Sequence, residues 1–331
     1  MGCFMKVSKI VEKRTNKRDA LGFLLFVFLL PYVCACLWGH VGEDIKEVCV
    51  DKEQDKTVQA GAGYYVEVAM EWGTWELEAE EYLIYRLAEI MQEDYEIEAL
   101  KAQAVLLRTE LVQSYKIQDV TRLRVEDTGI SRFYYGNGEE KQDQYEKAVR
   151  ETQGMYLCYR GQPIQACYFP VSNGQTRDAG QIWHTDNCPY LAGTACEQDR
   201  AYREWSSMVT IDRHTYIERI RSVTGDSYTE ETIWNGGQFV YDEAGYVTEV
   251  LYTQEGEKAE VDGETFRRIF GLHSASFSIE KNEQQIVFHV TGVGHGFGMS
   301  QYGANCLALN GEDYGSILKY FFTGTELAKF E

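Results

Sequence analysis

The sequence predicts an α+β fold, and three observations carry it. Two stretches repeat apolar residues at helical spacing, a third reads as a β-hairpin, and two later runs read as further strands. In the first helix Leu83, Leu87 and Ile90 fall on one stripe, with Ile84 and Met91 beside it. In the second, Ile97, Leu100, Ala104, Leu107 and Leu111 recur at three- and four-residue steps. The hairpin pairs residues 155–159 (MYLCY) with 163–169 (PIQACYF) around a turn at Arg160-Gly161-Gln162. Residues 247–252 (VTEVLY) and 286–290 (IVFHV) supply further strands. A last helix begins after Ser300, a good N-cap, and stops before Gly311.

Ahead of this mixture lies a different kind of segment. Residues 20–38 contain no charged side chain, and their core reads LGFLLFVFLL. Such a run is long enough to cross a bilayer as a helix. Lys6, Lys9, Lys13, Arg14, Lys17 and Arg18 precede it, and Glu43 and Asp44 follow it. The positive flank belongs on the cytoplasmic side, so the rest of the chain is expected outside. A cleaved signal peptide is the weaker reading, because no clean small-x-small site follows the apolar core. A lipoprotein signal is weaker too, since Val33-Cys34-Ala35-Cys36 matches a lipobox poorly. The expected organisation is therefore a basic cytoplasmic tail over 1–19, a transmembrane signal-anchor over 20–38, a polar stalk over 39–60 and a folded domain over 61–331.

The chain has a formal net charge of −20. Nucleic acid needs a basic footprint, so that partner is excluded. Of nine cysteines, six follow the anchor: Cys49, Cys158, Cys167, Cys188, Cys196 and Cys306. Outside the cell they can form disulfides, but their irregular spacing assigns no pairs. With 23 Tyr, 15 Phe and 6 Trp, aromatic faces for stacking on sugars are plentiful, although most such rings serve a core.

The most informative segment is 292–304, GVGHGFGMSQYGA, in which Gly292, Gly294, Gly296 and Gly298 alternate. A strand ends, a tight backbone follows, and a helix begins. Such a loop either brings His295 and backbone N–H groups to a ligand or forms a structural turn with His295 merely hydrogen-bonded. It is neither a Walker loop nor a dinucleotide fingerprint.

This segment closely resembles the C-terminal signature of the stage II sporulation protein D / amidase-enhancer LytB family, roughly GxGxGHGxGMSQxGA. Residues 98–108, EALKAQAVLLR, resemble that family's EALKAQAVAAR, and 169–176, FPVSNGQT, resemble a pattern like HSSSGGRT. The three occur in the family's order. The resemblance implies helices and antiparallel strands around a glycan-binding cleft, with His295, Gly296, Ser300 and Gln301 as substrate-binding residues. It implies a protein acting on peptidoglycan glycan strands, in some members as a lytic transglycosylase of denuded glycan. The implied partners are a cell-wall amidase and a membrane scaffold.

One departure from the family pattern matters. The family's catalytic Glu, in AxEMP, stands eight residues before the Glu of EALKAQ, and here that position is Ile90, with Gln92 where Pro is expected. Glu81-Tyr82-Leu83 overlays the upstream run without a gap. A lytic transglycosylase protonates the glycosidic oxygen and deprotonates the sugar's own C6 hydroxyl, work for one buried carboxyl; isoleucine moves no proton. The adjacent Glu89 is the catalytic candidate that remains, but one residue on a helix is a rotation of ~100°. Two functions therefore stand: a lytic transglycosylase, and a non-catalytic glycan-binding paralogue that scaffolds or activates an amidase.

His184, Cys188 and Cys196 form a second cluster, spaced His-x3-Cys-x7-Cys. They are candidate zinc ligands, supported by a His/Cys zinc site in at least one family member; Cys167 and Asp186 are spare donors, while Phe169 replaces a His often found in the family. The competing reading is a Cys188–Cys196 disulfide.

Overall fold

The computed structural model describes residues 63–330, apart from 71–72, 93, 127–128 and 131–138. The expected tail, anchor and stalk lie outside the described residues. Among the described residues no helix is long and apolar enough to cross a membrane.

The chain runs β1 (Tyr65–Met70), β2 (Gly73–Glu78), α1 (Ala79–Ile90), α2 (Ile97–Gln118), β3 (Arg122–Glu126), α3 (Glu139–Glu151), β4 (Met155–Tyr159), β5 (Gln162–Pro163) and β6 (Tyr168–Phe169). It continues through α4 (Ala179–Trp183), a 3₁₀ turn at Glu197–Ala201, β7 (Ser206–Asp212), α5 (Arg213–Thr224), α6 (Glu230–Gly236), β8 (Gln238–Tyr241), β9 (Val247–Gln254) and β10 (Glu257–Asp262). The last elements are α7 (Gly263–Phe270), β11 (Phe277–Lys281), β12 (Gln285–Thr291), β13 (Met299–Ser300), α8 (Gln301–Leu309), α9 (Tyr314–Phe321) and β14 (Glu326–Lys329). The fold is α+β, as expected.

Most pairing is antiparallel, in small sheets ordered β10-β9-β8, β11-β12-β7 and β14-β4-β5. Two pairs are parallel: β1 with β3, and β6 with β13. Parallel neighbours need a crossover. Between β1 and β3 the crossover includes both α1 and α2. The hairpin forms at β4/β5 around Arg160 (φ 51°) and Gly161 (φ 76°), whose paired positive φ values suit a two-residue loop. Its return strand stops at Pro163, sooner than the sequence suggested, because 168–169 pairs instead with β13.

The principal core forms around α2. Leu100, Ala102, Ala104, Val105 and Leu106 are fully buried, and Leu83 and Leu87 of α1 pack into the same core. Burial on so many sides leaves polar side chains of α2 to be satisfied locally. Arg108 makes a two-point contact with Glu80, both distances 2.7 Å, and Thr109 accepts the Leu157 amide at 2.9 Å. Glu98 accepts from Lys101 at 2.7 Å and from the first amide of α9, Tyr314, at 2.9 Å, so it supports the helix ends.

Residues 206–290 build a second core in which Phe266, Phe270, Phe277 and Phe288 pack ring against ring. One buried ion pair ties it to the first. Arg177 Nε donates to Asp242 at 2.6 Å, and both side chains are 4% exposed. The guanidinium also lies over the rings of Phe297 and Tyr246, at 4.6 and 5.1 Å. Removing one partner of such a pair strands the other charge. Arg177→Met is therefore expected to lower stability by about 3–5 kcal/mol, read as the shift of a urea midpoint. Adding Asp242→Asn should restore part of that loss, and a single variant within 1 kcal/mol of wild type would contradict this account.

Candidate cleft at the meeting of three motifs

Three segments distant in sequence converge here. The first is the C-terminal end of α1. After Ile90 the backbone turns extended at Met91 (φ −108°, ψ 143°), and the Met91 carbonyl accepts from Tyr145 at 3.2 Å. This break stops Ile90 from being swallowed by a longer helix. The second is α2, whose entrance is clamped by Glu96 N–H donating to Asn305 Oδ1 at 2.7 Å. The third is the glycine loop leading into α8.

That loop is threaded against 167–177 by backbone bonds. Val171 and Val293 exchange bonds of 3.1 and 2.7 Å, Met299 N–H donates to Cys167 O at 3.0 Å, and Arg177 N–H donates to Gly296 O at 2.7 Å. All four alternating glycines have positive φ. At Gly298 a Cβ would meet the Cys167 carbonyl at 2.1 Å, and at Gly294 it would meet Phe169 Cβ at 2.8 Å. Close approach and backbone handedness together demand glycine.

Under the loop sits Asp199, fully buried. Its Oδ2 accepts from the Ser172 amide at 2.7 Å and from the Ser300 hydroxyl at 2.6 Å. Ser300 Oγ in turn caps α8 by accepting Gly303 N–H at 3.1 Å. Burial raises the Asp199 carboxyl above its ordinary range, while these donors pull the other way. Gln301, the next residue, donates to Gln103 of α2 at 3.2 Å.

A cleft of about 280 Å³ opens over this junction, lined by Ile90, Gln92, Tyr95, Pro170, Tyr202, Glu204, His273, Val293 and Gln301. Gln92 donates to the Tyr202 hydroxyl at 3.0 Å, bridging two walls. The three motifs thus meet at one place, and Ile90 is part of its surface.

Not every predicted site residue reaches it. Glu89 is half-buried and pairs with Arg86 one turn back, facing Gly129, and is not among the cleft-lining residues. Arg86 belongs to a half-buried cluster with Tyr168, Tyr82 and Glu110, where burial pushes the Glu110 carboxyl up to about 7. Gln301 lines the cleft, whereas Ser300 lies beneath it on Asp199. His295 and Gly296 do not line it. The His295 ring stacks between Phe169 and Phe297, and its Nδ1 accepts the Phe297 amide at 3.1 Å. Gly296 is packed against Tyr246 and Arg177. Phe169 extends the aromatic packing under this loop.

The His/Cys set is dispersed in depth. His184 is exposed at the C-cap of α4 (φ 50°), and Cys196 is fully buried with its thiol donating to Thr194 O at 3.7 Å. Cys188 is half-buried and accepts from the Tyr190 hydroxyl at 3.6 Å. Burial pushes both thiols up. Among the described residues no three His, Cys, Asp or Glu side chains gather to hold a metal. Cys188 and Cys196 are both thiols rather than a disulfide.

Sequence reasoning missed Asp199, Tyr202, Glu204 and His273. Asp199 stands in the short 3₁₀ turn and the others in irregular segments, with no periodic or motif signal. Gln92 and Tyr95 were findable, since they follow Ile90 directly.

Burial lowers the His295 pKa from 6.5 to about 4, so the folded protein holds a neutral imidazole. Its contribution to stability is complete above pH 6.5 and is lost as pH falls toward about 4, because the unfolded chain takes up the proton first. Urea midpoints of wild type should decline across that window, and His295→Asn should lack this component. Parallel pH profiles for the two proteins would contradict it.

Comparison with known proteins adds independent information. A family model described as "Stage II sporulation protein" matches residues 73–159. "Stage II sporulation protein D" of Bacillus subtilis (strain 168) is 30% identical over 270 residues, covering 76% of this chain and 74% of that protein. Its Bacillus amyloliquefaciens counterpart is also 30% identical, over 266 residues with the same coverage. The "Amidase enhancer" of Bacillus subtilis (strain 168) is 26% identical over 285 residues, covering 72% of this chain and 39% of that protein.

Proposed function

The chain belongs to the stage II sporulation protein D family, and on that premise we propose that it is a membrane-anchored, extracytoplasmic protein that binds peptidoglycan glycan strands in its cleft without cutting them. The observation that carries this reading is the pairing of Ile90 and Glu89. Ile90, at the position where the family pattern has its acid, lines the cleft, and the adjacent Glu89 is turned to Arg86. Protonating a glycosidic oxygen requires a carboxyl within hydrogen-bond reach of it. An isoleucine there leaves binding and removes proton transfer.

The likeness to an amidase enhancer supports the companion role, in which a strand held in the cleft is presented to a cell-wall amidase and a membrane scaffold. The apolar run over 20–38 and its basic flank support the anchor. The competing reading, a lytic transglycosylase using Glu89, is favoured by the family match and requires Glu89 to leave Arg86 and rotate into the cleft.

Digestion of denuded glycan separates the two. Wild type should release no 1,6-anhydro ends by mass detection. Ile90→Glu places a carboxyl beside Gln301 and should gain cleavage, while Glu89→Gln should change little. Efficient cutting by wild type that Glu89→Gln abolishes would overturn the non-catalytic reading and establish Glu89 as the acid.

A further inference from the structure

The cleft carries a charge preference that its family membership does not specify. Its nine lining residues include one acidic side chain, Glu204, and neither Lys nor Arg. Glu204 is exposed on its wall, and the chain as a whole has a net charge of −20. The remaining polar groups are the amides and phenols of Gln92, Gln301, Tyr95 and Tyr202 and the imidazole of His273. Burial holds the Tyr95 phenol well above its ordinary value, so it stays protonated. The Tyr202 ring is fixed at one end by the Gln92 bond and on one side by Tyr302, edge to face at 5.1 Å. These rings and amides suit the apolar faces and hydroxyls of sugars.

Charge then decides among sugars. A muramic-acid residue carries a lactyl carboxylate, which Glu204 repels, and His273 is the one basic side chain among the described lining residues. An N-acetylglucosamine residue is neutral. A glucosamine residue whose acetyl group has been removed presents an ammonium, which complements the Glu204 wall.

We propose that the cleft selects glycan segments bearing an unacetylated amino sugar, with Glu204 as the counter-ion of the sugar ammonium. The inference rests on the reading of the cleft as a glycan site. Glu204 is a specificity residue here: it neither breaks a bond nor is needed to hold the fold, since it is exposed.

The test measures binding of the full-length protein to three probes: a glucosamine hexamer, an N-acetylglucosamine hexamer and denuded wall glycan. The buffer is of low ionic strength, at a pH where the sugar amine is protonated. The glucosamine hexamer should bind about three- to fivefold more tightly than its acetylated counterpart, the size of one exposed ion pair. Added salt should close that gap, and Glu204→Gln should bring the ratio of the two affinities to near one. A ratio near one in wild type overturns the inference while leaving glycan binding standing. A preference that survives Glu204→Gln also overturns it, because the attraction would then come from the protein's overall negative charge. If none of the three probes binds, the glycan reading of the cleft falls and this inference falls with it.

Discussion

The geometry of the cleft depends on one buried carboxyl. Asp199 holds two otherwise unrelated segments by a single oxygen, taking the Ser172 amide and the Ser300 hydroxyl together. Hydrogen bonds to a charged acceptor contribute about 1.5–3 kcal/mol each, and here they also fix position. Ser300 sets the first turn of α8 and hence the direction of Gln301. Ser172 sets the loop in which Asn173 reaches Ala244 O and Ser276 Oγ, at 2.7 and 2.9 Å. Through these contacts the glycine loop, the 167–177 segment and the second core share one reference point. The glycines then permit an approach so close that any other residue would push the layers apart.

Placing Ile90 at the cleft has a physical meaning of its own. It sits at the end of α1, where the helix breaks and the side chain is neither fully buried nor free. A carboxyl at such a place would be partly desolvated and its proton affinity raised. The surroundings that would serve an acid are thus retained around a side chain that cannot ionise. Glu89 shows how little sequence adjacency counts on a helix: one step along the chain turns it toward Arg86 and Gly129.

What could be read from the sequence follows the same logic. The stripes on α1 and α2, the cap at Ser300, the tight turn at Arg160-Gly161 and the alternating glycines are local patterns, and each formed where expected. The parallel pairs β1–β3 and β6–β13 were not legible, because they are set by where distant helices pack and leave no periodic trace. Asp199 and Glu204 were illegible for a related reason: an acid in a short turn or an irregular stretch looks like any solvated charge. His184, Cys188 and Cys196 show the converse. Their closeness in sequence suggested a shared point, yet the chain between them passes from an exposed helix cap to a fully buried thiol. His295 was expected on the substrate side and instead became part of the aromatic packing that shapes the loop.

The contacts that complete α2 also set the order in which the molecule can be assembled. Gln103 meets Gln301 across 198 residues, Glu96 meets Asn305 across 209, and Glu98 meets Tyr314 across 216. Contacts of such sequence separation must close very long loops and form late. The central helix therefore cannot finish its packing until residues 301–314 have emerged, and α1 and α2 wait for them with their apolar faces uncovered. A truncation before Gln301 would remove not a peripheral segment but the lid of the core, and a nascent chain stays exposed to proteases and aggregation until residues 301–314 have emerged.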